Sequence, residues 1–444
     1  MLKYDFRTIS LKILTDVFKT YRWAKESIEE NIDIIDIKHG DIKKIYELTY
    51  GILRNKNLID YYLSRYIKKP VNDINLLNIL RIGYYQLYYM HSIPPYAAIN
   101  TCVELAKKLV HPKTSGFVNA VLRNILRYKN ENVKIHAKDN VEYLSIKYSF
   151  EQWMIKFFLK YYDEKTTENI LKAGNAKPPI FIRTNLLKIK SSQLQNELTK
   201  ENILIKPVKL LKDAFLVEKG DPIKTTAFEN GLFYIQDLSS QILGSLVDAR
   251  SDEIIIDIAS APGGKTIYSS INMKNKGKII SIELKKERLL MMEGNLLRLG
   301  IKNVEILEHD ATYDIPNFKD KADKIILDAP CSGLGVIRRH PEKKWCLKEE
   351  ILNSFPDLQL KLLNNIKNWI KKDGFLFYST CTINPEENEN LIKKFLKQNK
   401  NFKLCVLNKN QRLKNYIKEY FFLSLPGNAH NMDGFFIARL KRIS

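Results

Sequence analysis

Residues 254–266 read IIIDIASAPGGKT, a short isoleucine-rich run that ends in a turn of small residues, two glycines and a lysine. A run of this length and composition, bounded by a turn, predicts a strand. The turn spells neither the GxxxxGK[ST] phosphate loop nor the GxGxxG dinucleotide turn. Its small residues still let backbone approach a ligand closely, just before a helix whose free N–H groups favour a carboxylate or phosphate. A plain tight turn would satisfy the same residues.

Outward from this stretch the pattern repeats. Lys278 to Ile282, Val304 to Leu307, Lys324 to Leu327 and Phe375 to Tyr378 are short, mostly apolar runs, with helical periodicity over 284–298 and 355–371. Strands alternating with helices predict an open, mostly parallel sheet, and ligands of such sheets lie beyond the carboxyl ends of the strands. Upstream the rhythm differs. Leu14, Val17, Phe18 and Tyr21 share one helical face, and Leu76, Leu77, Leu80, Tyr84 and Leu87 share another. With the later segments around Ile99 and Val121 they predict an all-helical domain over 1–130. Residues 131–230 read as a helical connector followed by a small α/β module, with strands near 178–185 and 214–218. The sheet domain occupies 231–444.

The chain has 444 residues, too many for one ordinary core, and a formal charge of +22. That charge suits a polyanion such as RNA, a membrane surface or an acidic partner, and a Lys-rich composition alone would also produce it. The five cysteines, odd in number and without a CxxC pair, favour a reduced cytoplasm over disulfides or structural zinc. The opening MLKYDFRTIS lacks an apolar leader and no run approaches a membrane span, so a soluble, cytoplasmic protein without a membrane partner is expected.

Three strand ends carry cofactor-like residues. The first is the turn Ala259, Ser260, Ala261, Pro262, Gly263, Gly264 and Lys265. Glu283 ends the second strand, where an acid can bond both hydroxyls of a ribose, and His309 and Asp310 follow the third, where an adenine edge would lie. Together they suit an adenosine with a small charged tail, and S-adenosyl-L-methionine fits, with no metal required.

Two further strand ends carry thiols, Cys331 in DAPCSG and Cys381 in STCT. If their strands are neighbours, about 4.8 Å apart, both can reach one substrate. Methylation at carbon 5 of a pyrimidine wants this, because that carbon is a poor nucleophile until a thiolate adds at carbon 6. One cysteine attacks and the other assists release. Asp328 would bond the edge that distinguishes cytosine from uracil, and Lys265 is a candidate cation for ionising a thiol. Core packing is the ordinary use of a free cysteine, and Cys102, Cys346 and Cys405 keep that reading.

The stretches Asp257 to Thr266, Asp328 to Gly333 and Ser379 to Thr382 resemble the motifs of the RNA 5-methylcytidine methyltransferases. So do Arg183-Thr184-Asn185, Gln236 to Ser240 and Asp433 to Phe436, so the likeness spans about 170–444. It implies a Rossmann-like class I methyltransferase fold, with Cys381 as nucleophile and Cys331 assisting release. The cofactor would be held by Ala259 to Lys265, Glu283, Asp310 and Asp328. Ala259 and Ser260 stand where that family often has Cys-Ala, a change that removes no group the chemistry needs. The amino-terminal segment, through Leu80 to Gly83, IPPYAAINTCVELAKK and KTSGFVNAVLRNI, resembles the NusB helical RNA-binding domain. That fusion implies a cytidine of 16S rRNA as target, on naked RNA or a small-subunit assembly intermediate, and a monomeric enzyme. Arg7, Lys107, Lys108, Lys113 and Arg123 would grip phosphates. Three rivals remain: a relative acting on tRNA or another rRNA site, a non-catalytic RNA-binding protein, and a dehydrogenase, which would lack its glycine turn.

Overall fold

The computed structural model describes residues 5–33, 39–129, 134–407 and 411–444. Residues 1–4 of the opening stretch, and the boundary expected between 130 and 131, lie outside the described residues. The chain divides into two compact units, Met1–Lys177 with Ile337–Glu349, and Pro178–Val336 with Glu350–Ser444.

The first unit is helical. Phe6–Thr20, Ala24–Asp33, His39–Ser64, Ile74–Tyr89, Pro95–Leu109 and Thr114–Arg127 precede three further helices, Asn140–Tyr148, Gln152–Tyr161 and Glu164–Asn175. Several start where an aspartate side chain accepts from the first free N–H groups, as Asp5, Asp73, Asp139 and Asp163 do. Leu14, Val17, Ile52, Leu80 and Leu122 are fully or almost fully buried in its core, as the helical periodicity requires. The segment expected as a connector is well packed: Asn57 donates to Ser145 Oγ at 3.2 Å and to the Phe150 carbonyl at 3.1 Å.

A segment from far downstream completes this unit. Ile337–Glu349 carries a one-turn helix, Lys343–Cys346, and Trp345 joins the helical core, its indole N–H donating to the Leu53 carbonyl at 2.9 Å. Lys344 is fully buried beside it. Its ammonium donates to the Arg54 carbonyl at 2.9 Å and to Asn175 Oδ1 at 2.8 Å. Burial, with Arg54 and Lys56 nearby, holds the Lys344 amine well below its ordinary range.

The second unit begins with the small module. Strands β1 (Phe181–Thr184), β2 (Leu204–Pro207), β3 (Ala214–Lys219) and β4 (Phe233–Ile235) form an antiparallel sheet in the order β2-β3-β1-β4. The larger sheet contains β5 (Ile254–Ile258), β6 (Lys278–Glu283), β7 (Val304–Glu308), β8 (Ala322–Asp328), β9 (Ile370–Thr380), β10 (Phe402–Cys405), β11 (Ile417–Lys418), β12 (Phe421–Ser424) and β13 (Phe435–Arg442). Its order is β11-β12-β13-β9-β8-β5-β6-β7, with β10 paired to β13. The five strands β5 to β9 are parallel to one another, and β13 runs antiparallel to β9. Apolar clusters cover both faces, one containing Ile256, Leu327 and Trp369 and the other Ile255, Ile326 and Phe377. Alternate residues of one strand thus enter opposite cores.

The predicted helix over 355–371 is shorter than its periodicity suggests. It spans Ser354–Ile366, passes through a 3-10 turn, and gives way to β9 because Ile370 pairs with Ala322. The antiparallel strands β10 to β13 are additions that the sequence reading does not contain.

Candidate active site

In the parallel part of the sheet the chain starts at β5, moves outward to β6 and β7, then returns to the other side of β5 through β8 and β9. Such a reversal leaves a crevice beyond the strand ends on either side of β5. Every residue that the sequence assigns to the cofactor or to the thiol chemistry lies at or just beyond those ends.

The turn after β5 holds Gly263 at φ 99°, a left-handed conformation that side chains resist, and the helix Gly264–Asn272 starts there. Ser260 donates its backbone N–H to the Ile282 carbonyl at 3.1 Å, which ties the turn to β6. At the end of β6, Glu283 is 4% exposed, and its Oε1 accepts from the Leu284 and Lys285 N–H groups at 3.1 and 3.3 Å. Arg288 connects Glu283 to the turn, its Nη1 lying 3.2 Å from Glu283 Oε2 and its Nη2 donating to the Ala261 carbonyl. Glu283 Oε2 is buried, has no hydrogen bond and lies beside the Arg288 guanidinium. Asp310, beyond β7, stands apart and accepts from the Thr312 N–H at 2.9 Å, which holds its carboxyl below the ordinary carboxylate range.

At the end of β8, Lys265 donates to Asp328 Oδ2, and Ser379 Oγ donates to Asp328 Oδ1 at 2.8 Å. Burial alone would depress the Lys265 ammonium, but Asp328 outweighs it, and the net direction is upward. Asp328 and Ser379 are register partners across the parallel pair β8 and β9. Three residues beyond one and two beyond the other lie the thiols, and Cys331 Sγ and Cys381 Sγ are 3.3 Å apart. Both are half-buried, whereas Cys102 is completely buried and its thiol is pushed up to about 12.

Several residues that the sequence reading gives no role organise this corner. Glu387 is fully buried and accepts from the Ser332 N–H at 2.9 Å, from Ser332 Oγ, from Asn384 Nδ2 at 3.0 Å and from Gln359 Nε2 at 3.0 Å. One carboxylate therefore binds the loop of Cys331 to that of Cys381. Gly335 donates its N–H to the Cys381 carbonyl at 3.0 Å, and Gly434 donates to the Gly335 carbonyl at 2.9 Å. A Cβ on Gly335 would meet the Gly434 carbonyl oxygen at 2.3 Å, so only glycine permits the approach. The available signal was the acid-rich PEENE after the second thiol. In the helical unit one expected phosphate ligand turns inward, for Arg7 donates to Gln86 and Asp5 at 2.6 and 2.9 Å and its side chain is 12% exposed.

Among the described residues no cluster of three or more His, Cys, Asp or Glu could hold a metal ion, and no helix is long and apolar enough to cross a membrane.

The strand order, with an antiparallel β13 beside β9, and the residues gathered at its switch point define a class I methyltransferase with a Rossmann-like sheet. Residues 245–441 match the family described as 16S rRNA methyltransferase RsmB/F, residues 150–224 its ferredoxin-like domain and residues 5–127 the NusB family. "Probable ribosomal RNA small subunit methyltransferase B" of Bacillus subtilis is 31% identical, covering 100% of both chains. "Ribosomal RNA small subunit methyltransferase B" of Escherichia coli O127:H6 is also 31% identical, over 91% of each. A crystal structure of the protein PH0851 superposes with a TM-score of 0.80 at 26% identity, covering 99% of this chain and 100% of that one. The chain belongs to the RsmB/F family of 16S rRNA methyltransferases.

Proposed function

We propose that the protein methylates carbon 5 of one cytidine in 16S rRNA, through a covalent Cys381 adduct at carbon 6. The observation that carries this reading is the pair of thiols 3.3 Å apart beside Asp328 and Lys265. A single structural cysteine needs no such partner, whereas an addition followed by an elimination uses two.

The target base must first leave its stack. Cys381 then adds as a thiolate, and Lys265, whose ammonium senses the charge of Cys381, favours that form. Formation of the sulfur–carbon 6 bond places electron density on carbon 5. Asp328, with Lys265 on one oxygen and Ser379 on the other, has lone pairs left to accept from the exocyclic amino group of cytosine, and from the ring nitrogen beside it once that nitrogen is protonated. S-adenosyl-L-methionine, when bound, supplies an electrophilic methyl group. Ala259 to Lys265, Glu283, Asp310 and Asp328 are the residues that would hold it, and a carboxylate at the end of β6, as Glu283 is, suits its ribose hydroxyls. Transfer of the carbon 5 proton to the Cys331 thiolate, with cleavage of the sulfur–carbon 6 bond, regenerates the aromatic ring and the Cys381 thiolate. Cys331, adjacent to that sulfur, assists the release.

The test is transfer of label from S-adenosyl-L-methionine to unmodified 16S rRNA, with nucleoside analysis. The parent should form 5-methylcytidine, Cys381→Ala should form none, and Cys331→Ala should accumulate a protein–RNA adduct. Undiminished activity in Cys381→Ala would sink the mechanism, and label in tRNA alone would overturn the proposed target.

A further inference from the structure

Arg183, Thr184 and Asn185 carry part of the family resemblance but take no part in the thiol site. Two of them have local work. Asn185 donates to the Gly231 and Leu299 carbonyls at 2.9 and 2.8 Å, and Thr184 accepts from Ser191 at 3.0 Å. Arg183 is different. It is 3% exposed, its Nε is buried without a hydrogen bond, and it forms no ion pair among the described residues. Its guanidinium carbon lies 3.2 Å from the ring centroid of Tyr268.

A buried charge is ordinarily paired, because its lost hydration must be replaced. Arg183 instead lines a cavity of about 400 Å³, to which Lys212, Ser245, Asn272 and Arg412 also contribute. Two carboxylates share its lining. Asp213 already accepts from Ser191 at 2.9 Å, and the side chain of Asp248 is 68% exposed. A second cavity of about 500 Å³ shares Lys212 and Arg412, adds Lys209 and His430, and has no carboxylate in its lining. Cations therefore outnumber carboxylates around two recesses that share Lys212 and Arg412, and the first is lined by a guanidinium that faces Tyr268 and whose Nε has no hydrogen bond. The fork of an arginine matches a tetrahedral oxyanion in a bidentate manner.

We infer that the first recess is a phosphate-binding site, with Arg183 as its anchor and Lys212 and Arg412 at its rim. Ser245 and Asp248 lie at the end of the helix that leads into the start of β5, and Asn272 ends the next helix before the start of β6. These residues lie toward the amino ends of the parallel strands, whereas the thiols follow the carboxyl ends of β8 and β9. A phosphate held here belongs to a free anion, or to an RNA backbone remote from the reacting base. The inference does not depend on the proposed methylation chemistry.

Phosphorus NMR on the full chain, titrated with inorganic phosphate against a chloride background of equal ionic strength, tests it. The parent should show saturable broadening of the phosphate signal. Arg183→Met should weaken binding by about tenfold or more, the loss expected for a charge-assisted bidentate contact. If Arg183→Met does not fold, the double variant Lys212→Ala, Arg412→Ala decides, since it should weaken binding similarly. Displacement of phosphate by a short single-stranded RNA would assign the site to a backbone phosphate, and retention would assign it to the free anion. No saturable broadening in the parent, or parent-like binding in the folded variants, overturns the proposal.

Discussion

Replacing Asp257 by Asn should change how the stability of the sheet unit depends on pH. Asp257 is fully buried in β5, Oδ2 accepting from Thr266 Oγ1 at 2.6 Å and Oδ1 having no hydrogen bond. Burial raises its carboxyl from 3.8 to about 7, against the opposing pull of Thr266 and Lys265. The unfolded chain releases this proton near 3.8, while the folded chain keeps it until about 7. In that window the folded state binds more protons, so stability falls as pH rises and levels off above it. The gap corresponds to at most about 4 kcal/mol, at roughly 1.4 kcal/mol for each pH unit. Asparagine keeps the shape but does not titrate. The difference in stability, variant minus parent, should therefore rise by a few kcal/mol between about pH 4 and pH 8. Denaturant-dependent hydrogen exchange of the β5 amides reads this for the sheet unit alone. Parallel pH profiles for parent and variant would refute the reasoning.

Three other substitutions have defined outcomes. Lys265→Met strands the Asp328 carboxylate in a mostly buried site and should cost about 3–5 kcal/mol by chemical denaturation, with part recovered on adding Asp328→Asn. Gly335→Ala drives a methyl group into the Gly434 and Cys381 carbonyl oxygens, 2.3 and 2.7 Å away. It should lower methyl transfer by at least about tenfold and stability by about 1–3 kcal/mol, and a fully active variant would show that this approach is not needed. Trp345→Ala should destabilise the helical unit by about 3–5 kcal/mol, and Trp345→Phe less, the indole bond being worth about 1 kcal/mol; melting of the helical circular dichroism signal distinguishes them.

The parallel strands were legible because each is a short apolar run closed by a turn, and four of the five both begin and end within a residue or two of their patterns. The exception, β9, begins at Ile370, where apolar residues suit the end of a helix as well as the start of a strand. Strands β10 to β13 escaped because Phe421–Ser424 and Phe435–Arg442 lie in a chain end whose patterning is weak until the pairing with β9 is known. The pairing of Lys265 with Asp328 required knowledge that β5 and β8 are adjacent, which neither motif contains by itself. Glu387 illustrates a further limit. Its side chain is completely buried, yet among PEENE nothing local separates it from the more exposed Glu386.

The Ile337–Glu349 segment also constrains the order in which the protein can be made. A ribosome completes the first 177 residues of the helical unit and must add 172 more before Glu349, the last residue of that unit, has been joined. At roughly 5–20 residues per second that interval is on the order of 10–30 s. During it Trp345 is absent, and the hydrophobic cavity it will fill is open to water or to a chaperone. Folding of the amino-terminal half on the ribosome is therefore provisional until the sequence between the two thiols has begun to emerge.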